Sequence, residues 1–241
     1  MAHFVLIHGA WHGAWCWHKL IPLLEARGHT VSAPDLPGHG NDPLPQAEQS
    51  MDGYVGRIAE ALKAAPGPVI LLGHSMGGMP VSAAAEAMPD RVAALVYLCA
   101  FLPRNGEHLM AIEERNPRST VPPAAEFADD GTATIPAEKH RALFYGDVSE
   151  ADMADAQSHL VPQSGAPFMT PVSLSEDRFG AIPKHYVECT EDGAISIELQ
   201  RDMIAATPGV TVHTMKADHS PFLSDPGGLA EILDGIAESA A

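Results

Sequence analysis

The sequence predicts an α/β protein: a mostly parallel six-stranded sheet flanked by helices, with an inserted cap. Three observations carry that expectation. Short β-rich runs alternate with segments of helical period, the pattern of a parallel sheet covered on both faces. One long proline-broken stretch interrupts the alternation. At 241 residues and 46% apolar, the chain can build one large domain with a full core.

The expected strands are Phe4–Ile7, Thr30–Ala33, Val69–Leu72, Val92–Leu98, His185–Cys189 and Val210–Met215. Between the first two, Trp17, Leu20, Ile21 and Leu24 recur at i, i+3, i+4 and i+7, so that stretch reads as a helix with one buried face. Tyr54, Val55, Ile58 and Leu62 follow the same spacing, and Val81–Met88 is an alanine-rich helical stretch. Leu229, Ile232, Leu233 and Ile236 mark a last helix, opened by Asp225 as N-cap and Pro226 at the first helical position.

From residue 103 to 182 prolines at 103, 117, 122, 123, 136, 162, 167 and 171 break every run. A structureless loop of that length is uncommon in a compact domain, so the stretch reads as an inserted cap, with helices at Glu138–Leu143 and Glu150–Leu160. Residues 1–102 and 183–241 then form the core. An insertion behind a strand's C-terminal end lies over the edge where α/β sheets bind ligands. Met110, Phe127, Phe144, Tyr145, Met153, Leu160 and Phe168 of this stretch either roof an apolar pocket or pack as the cap's own core.

Composition excludes several functions. A formal charge of −17 argues against nucleic acid, whose binding starts from a basic patch. No run approaches the ~20 apolar residues of a membrane span, and Phe4–Ile7 is too short for a signal segment. A cytoplasmic location is the resulting expectation. Cys16, Cys99 and Cys189 are widely spaced and read as reduced, buried thiols rather than a disulfide or zinc framework.

The chemistry gathers around Gly73-His74-Ser75-Met76-Gly77-Gly78, between an apolar strand and a helical stretch. That is the context of a G-x-S-x-G nucleophile elbow, where side chains at 73 and 77 would collide with neighbouring backbone. A serine hydroxyl needs a base within reach and an anion-stabilising site opposite. Of thirteen histidines, His219 follows the last strand and is carried to the same sheet edge as Ser75. His8, His39 and His74 read as structural hydrogen-bonders at that edge, and His18, His29, His140, His159 and His185 as surface or helix residues. Asp192, just past His185–Cys189, fits the acid that fixes the imidazole tautomer, with Glu191 its nearest rival. The order Ser75, Asp192, His219 is that of the α/β-hydrolase fold. The backbone N–H of Met76 and that of Ala10 are the expected oxyanion donors. Gly9 and His74 flank these groups and, with Phe144 and Leu160, complete the expected substrate contacts. His8 and His12 lack the glutamate and helix of a zinc pair, so no metal and no cofactor are expected.

Taken together, His3-Phe-Val-Leu-Ile-His-Gly-Ala-Trp-His-Gly-Ala-Trp, Gly73-His-Ser-Met-Gly-Gly-Met, Cys189-Thr-Glu-Asp and Ala217-Asp-His resemble one α/β-hydrolase family. It holds the plant methylesterases, the S-selective hydroxynitrile lyases and their small bacterial esterase relatives. The resemblance covers residues 3–101 and 183–237 and implies a serine carboxylesterase acting on a small, largely apolar ester, with a homodimer as the family habit. Lyases of this family carry threonine where Gly9 stands and lysine where Ser220 stands, so ester hydrolysis is favoured over cyanide release. Asp35-Leu-Pro-Gly-His-Gly40 resembles the general hydrolase pattern more than the plant branch, which implies a bacterial-type esterase. A non-turnover receptor on the same scaffold is the rival from another class.

Overall fold

The computed structural model describes residues 1–240. Its strands are β1 (His3–Ile7), β2 (Thr30–Ser32), β3 (Val69–His74), β4 (Val92–Leu98), β5 (Glu126–Phe127), β6 (Thr132–Thr134), β7 (Gln163–Ser164), β8 (Lys184–Cys189) and β9 (Val210–Met215). Six of them form one sheet in the order β2-β1-β3-β4-β8-β9. Every pairing in it is parallel, so the expectation of a mostly parallel sheet sharpens to a fully parallel one. The segments after β1, β3, β4, β8 and β9 therefore all leave from one edge. The order reverses about β1 and β3, the switch point where such sheets open a crevice.

Burial explains the strand sequences. All six residues of β3 and the last four of β1 are buried, which is why these runs are continuously apolar rather than alternating. At the far edge, β9 is largely exposed or half-buried and carries threonine and histidine. The helix Met51–Ala64 buries Met51, Tyr54, Ile58 and Leu62, and Ser50 caps it by accepting the Gly53 N–H. Val55 lies only half-buried on the flank of that face. The last helix, Pro226–Ser239, starts on an Asp225 cap that accepts the Gly228 N–H. The first helical stretch is split into a single turn, Ala14–Trp17, and a helix, Leu20–Ala26, with Trp17, Leu20 and Leu24 buried.

The stretch 103–182 holds short helices, among them Ala137–Leu143 and Glu150–His159. It also holds an antiparallel sheet, β5-β6-β7, that sequence reading did not anticipate. Strands of two or three residues are too short to show a period of two. Towards its end the stretch lies along the core: Ser175 and Phe179 donate their N–H groups to the Glu86 carboxylate on the helix Gly78–Ala87. His29, read as a surface or helix residue, is instead buried outside any helix, beside Asp234 of the last helix. His140 lies in the helix Ala137–Leu143, buried, and donates through Nε2 to the Ile135 carbonyl.

Candidate active site

Strand β3 ends at His74, and Ser75 takes φ of +53°, a left-handed conformation that costs a non-glycine residue about 1–3 kcal/mol. Glycines make the turn possible. A Cβ on Gly73 would lie 2.6 Å from the Gly77 carbonyl oxygen, and one on Gly78 would lie 2.1 Å from that of Phe101. The Phe101 N–H in turn donates to the Ser75 carbonyl at 3.1 Å, which pins the turn to the end of β4. Neither backbone oxygen can swing away cheaply. Gly78→Ala is therefore expected to lower stability by about 2–4 kcal/mol and the thermal midpoint by about 5–15 °C, read by calorimetry.

The segment after β9 brings His219 to the same edge, buried to 2% exposure. Its Nδ1 donates to Asp192 Oδ2 at 2.8 Å. This leaves Nε2 as the nitrogen with the lone pair. Asp192 Oδ1 meanwhile accepts the Ala194 and Ile195 N–H groups at 2.7 and 2.9 Å, so both carboxylate oxygens are held. The other acids are placed elsewhere. Glu191 is exposed, and Asp218 accepts from the Ser220 N–H, the Ser224 hydroxyl and the Asp147 N–H. Burial raises the Asp218 carboxyl above the ordinary range. Asp35, in the segment after β2, accepts the Ala14 and Asn41 N–H groups.

Beside His219, His74 is fully buried and its Nε2 donates to the His219 carbonyl at 2.9 Å. Burial holds its imidazole well below the usual range, so it stays neutral. Cys99 donates to the same carbonyl at 3.5 Å. His74, Cys99 and His219 offer ligand atoms within 4.8 Å of one another, the one such grouping among the described residues. The His219 ring in it is tied to Asp192 through Nδ1, and the other two side chains spend their hydrogens on its backbone. Both hydrogen bonds fix the His219 backbone, while Asp192 holds its ring.

A cavity of about 240 Å³ opens between the sheet edge and the 103–182 stretch. Ser75, Met76 and Ala10 lie on its floor; Phe144, Phe127, Phe168 and Met110 form much of its roof. Of the four expected substrate contacts, only Phe144 lines this cavity, and the other three are corrected. Gly9 is buried against Ser75, where a Cβ would sit 2.9 Å from that of Ser75. His74 has its ring committed to the His219 carbonyl, and Leu160 packs half-buried against the core. Tyr145 and Met153 of the expected roof are likewise outside it. Sequence reading missed Trp11, Phe101, Leu109, Met169 and Ile195, and also Glu113, the one ionisable side chain in an otherwise apolar wall. Glu113 is 4% exposed, accepts hydrogen bonds from Asn116 and Ser119, and has its carboxyl pushed above the ordinary range by burial.

Residues 4–232 match the model of the alpha/beta hydrolase family. The chain is 37% identical over 249 residues to a pyrethroid hydrolase of Sphingobium wenxiniae, across 98% of this chain and 88% of that one. It is 36% identical over 259 residues to salicylic acid-binding protein 2 of Nicotiana tabacum, across 98% and 96% of the two. The crystal structure of polyneuridine aldehyde esterase superposes with a TM-score of 0.90 at 28% identity, covering 98% of this chain and 99% of that one.

Proposed function

This chain belongs to the alpha/beta hydrolase family, in its methylesterase-like branch, and hydrolyses carboxylic esters; on that premise we propose a two-step acyl transfer through Ser75. The observation that carries the proposal is the doubly held Asp192 carboxylate bonded to His219 Nδ1, which leaves Nε2 free to accept a proton. Ser75 Oγ attacks the ester carbonyl as its proton passes to His219 Nε2. The carbonyl oxygen, now negative, is met by the N–H groups of Ala10 and Met76. The tetrahedral intermediate expels the alcohol, which takes the proton from the imidazolium. Water, deprotonated by the same nitrogen, then releases the acid and restores the serine.

The substrate we infer is a small neutral ester, apolar on the side that enters the cavity. The wall is apolar apart from Glu113, and a carboxylate placed beside it would be desolvated with no cation to receive it. The Sphingobium relative, named a pyrethroid hydrolase, agrees with an apolar ester as the substrate class.

Two measurements test this reading. Wild-type protein mixed with p-nitrophenyl butyrate and quenched in acid should carry a butyryl group on the peptide containing Ser75; turnover without acylation of that peptide would remove the mechanism. On the substrate side, p-nitrophenyl butyrate should exceed p-nitrophenyl hemisuccinate in kcat/KM by about a hundredfold. Equal values would exclude the neutral-ester preference.

A further inference from the structure

We propose that the cap sets the oxyanion site, through a hydrogen-bonded relay from Tyr145 to His12 to the carbonyl of Ala10, with Tyr145 and His12 as positioning residues. The inference rests on the reading of Ala10 N–H as an oxyanion donor. His12 is 2% exposed, and its Nδ1 lies 2.8 Å from the Ala10 carbonyl oxygen while Nε2 lies 2.8 Å from the Tyr145 hydroxyl. A carbonyl can only accept, so the ring hydrogen is on Nδ1. Burial holds this imidazole at about 3, so it is neutral at working pH and Nε2 must accept. Tyr145 is therefore the donor. Its own burial raises the phenol well above its ordinary range, which keeps the O–H in place.

A second imidazole holds the preceding peptide. His8 Nε2 accepts the Leu36 N–H at 3.0 Å, so its hydrogen is on Nδ1, which donates to the Gly9 carbonyl at 2.8 Å. The Gly9 carbonyl and the Ala10 N–H belong to one peptide unit. Fixing the first aims the second, and hydrogen bonds in series polarise one another. Two neutral imidazoles in the same tautomer thus grip the carbonyls on either side of the Ala10 backbone.

The two grips differ in origin. His8 is anchored within the core, whereas Trp11 and the His12 Nε2 take their hydrogen bonds from the 103–182 stretch, the His12 ring itself packing on Trp15, His74 and Phe222. Trp11 sits at φ +62°, a strained conformation for a bulky side chain that persists only where its surroundings impose it. Its indole N–H donates to the Ala133 carbonyl at 2.9 Å, and its own carbonyl accepts the Val161 N–H at 3.0 Å. Tyr145 on His12 is the third such contact. All three come from the cap, none from the core. Seating of the cap and aiming of the Ala10 N–H are one event.

The test compares wild-type protein with Tyr145→Phe, His12→Asn and His12→Leu. Butyrate-ester kinetics are measured alongside inhibition by a trifluoromethyl ketone, which forms an oxyanion on Ser75. Tyr145→Phe keeps the ring and removes one hydrogen-bond donor. A misaimed donor costs less than a deleted one, so kcat should fall about ten- to thirtyfold with KM within about twofold, and the ketone should weaken by a similar factor. His12→Asn places an N–H₂ where Nδ1–H stood and should retain more kcat than His12→Leu. A Tyr145→Phe protein with unchanged kcat, or one altered only in KM, would overturn the relay and leave Tyr145 as cap packing. If wild-type Ser75 takes no acyl group, the catalytic reading itself fails; a labelled serine with an indifferent Tyr145→Phe sinks the relay alone.

Discussion

Replacing Ser75 with alanine is expected to lower kcat on p-nitrophenyl butyrate by about four to six orders of magnitude while KM stays near its original value. His74 and Cys99 cannot take over, because both spend their hydrogens on the His219 backbone. Two companion variants sharpen the result. Ser75→Gly should be equally inactive but more stable than Ser75→Ala by about 1 kcal/mol, since only glycine accepts φ of +53° without strain. Asp192→Asn should lose about four orders of magnitude for a reason visible in the geometry. The Ala194 and Ile195 N–H groups demand an acceptor at the Oδ1 position, so the amide nitrogen must fall where Oδ2 now faces His219. An N–H₂ there forces the imidazole hydrogen onto Nε2, where it blocks proton transfer from Ser75. Melting curves and ester kinetics on the three proteins check all of this, and an Asp192→Asn protein within tenfold of wild type would contradict it.

The inner strands announced themselves because both faces are buried, which leaves apolar runs such as Val69–Leu72 with glycine immediately behind. Ser75, Asp192 and His219 could be singled out because each follows a strand, and in a fully parallel sheet such positions share an edge. Long-range closure left no comparable trace. Tyr145 and His12 are 133 residues apart, and neither residue type nor spacing tells that their side chains meet. The cavity wall takes one or two residues each from the loop after β1, the turn after β3, the end of β4 and the loop after β8, and the rest from scattered positions of the 103–182 stretch. Gly9 and His74 illustrate a subtler failure. Both neighbour the candidate site in sequence, yet one is filled in against Ser75 and the other faces the His219 carbonyl. Adjacency along the chain fixed their neighbourhood and not their direction.

The same buried imidazoles make acid the expected route to unfolding. Burial lowers His8, His12 and His74, with His39 shifted the same way. In the unfolded chain these groups take up protons below about pH 6.5, whereas the folded protein refuses them until the pH is far lower. The unfolded state then binds more protons, so this stability is present above pH 6.5 and is lost as the pH falls. For His12 alone, held at about 3, the full loss amounts to roughly 5 kcal/mol. Three such groups remove about 4 kcal/mol per pH unit once the pH is well below 6, against a total stability of about 5–15 kcal/mol. Glu113 and Asp218 act in the opposite sense, because carboxyls raised by burial gain protons first in the folded state. They soften the slope near their own titration without reversing it, being two against four. Denaturant titrations at half-unit steps from pH 7.5 to 4.5 should therefore show stability falling steeply below about pH 6, with unfolding in buffer between about pH 4 and 5. A stability that stays level from pH 7 to 5 would mean that these imidazoles are not held neutral in the fold, and the tautomer argument for His8 and His12 would fall with it.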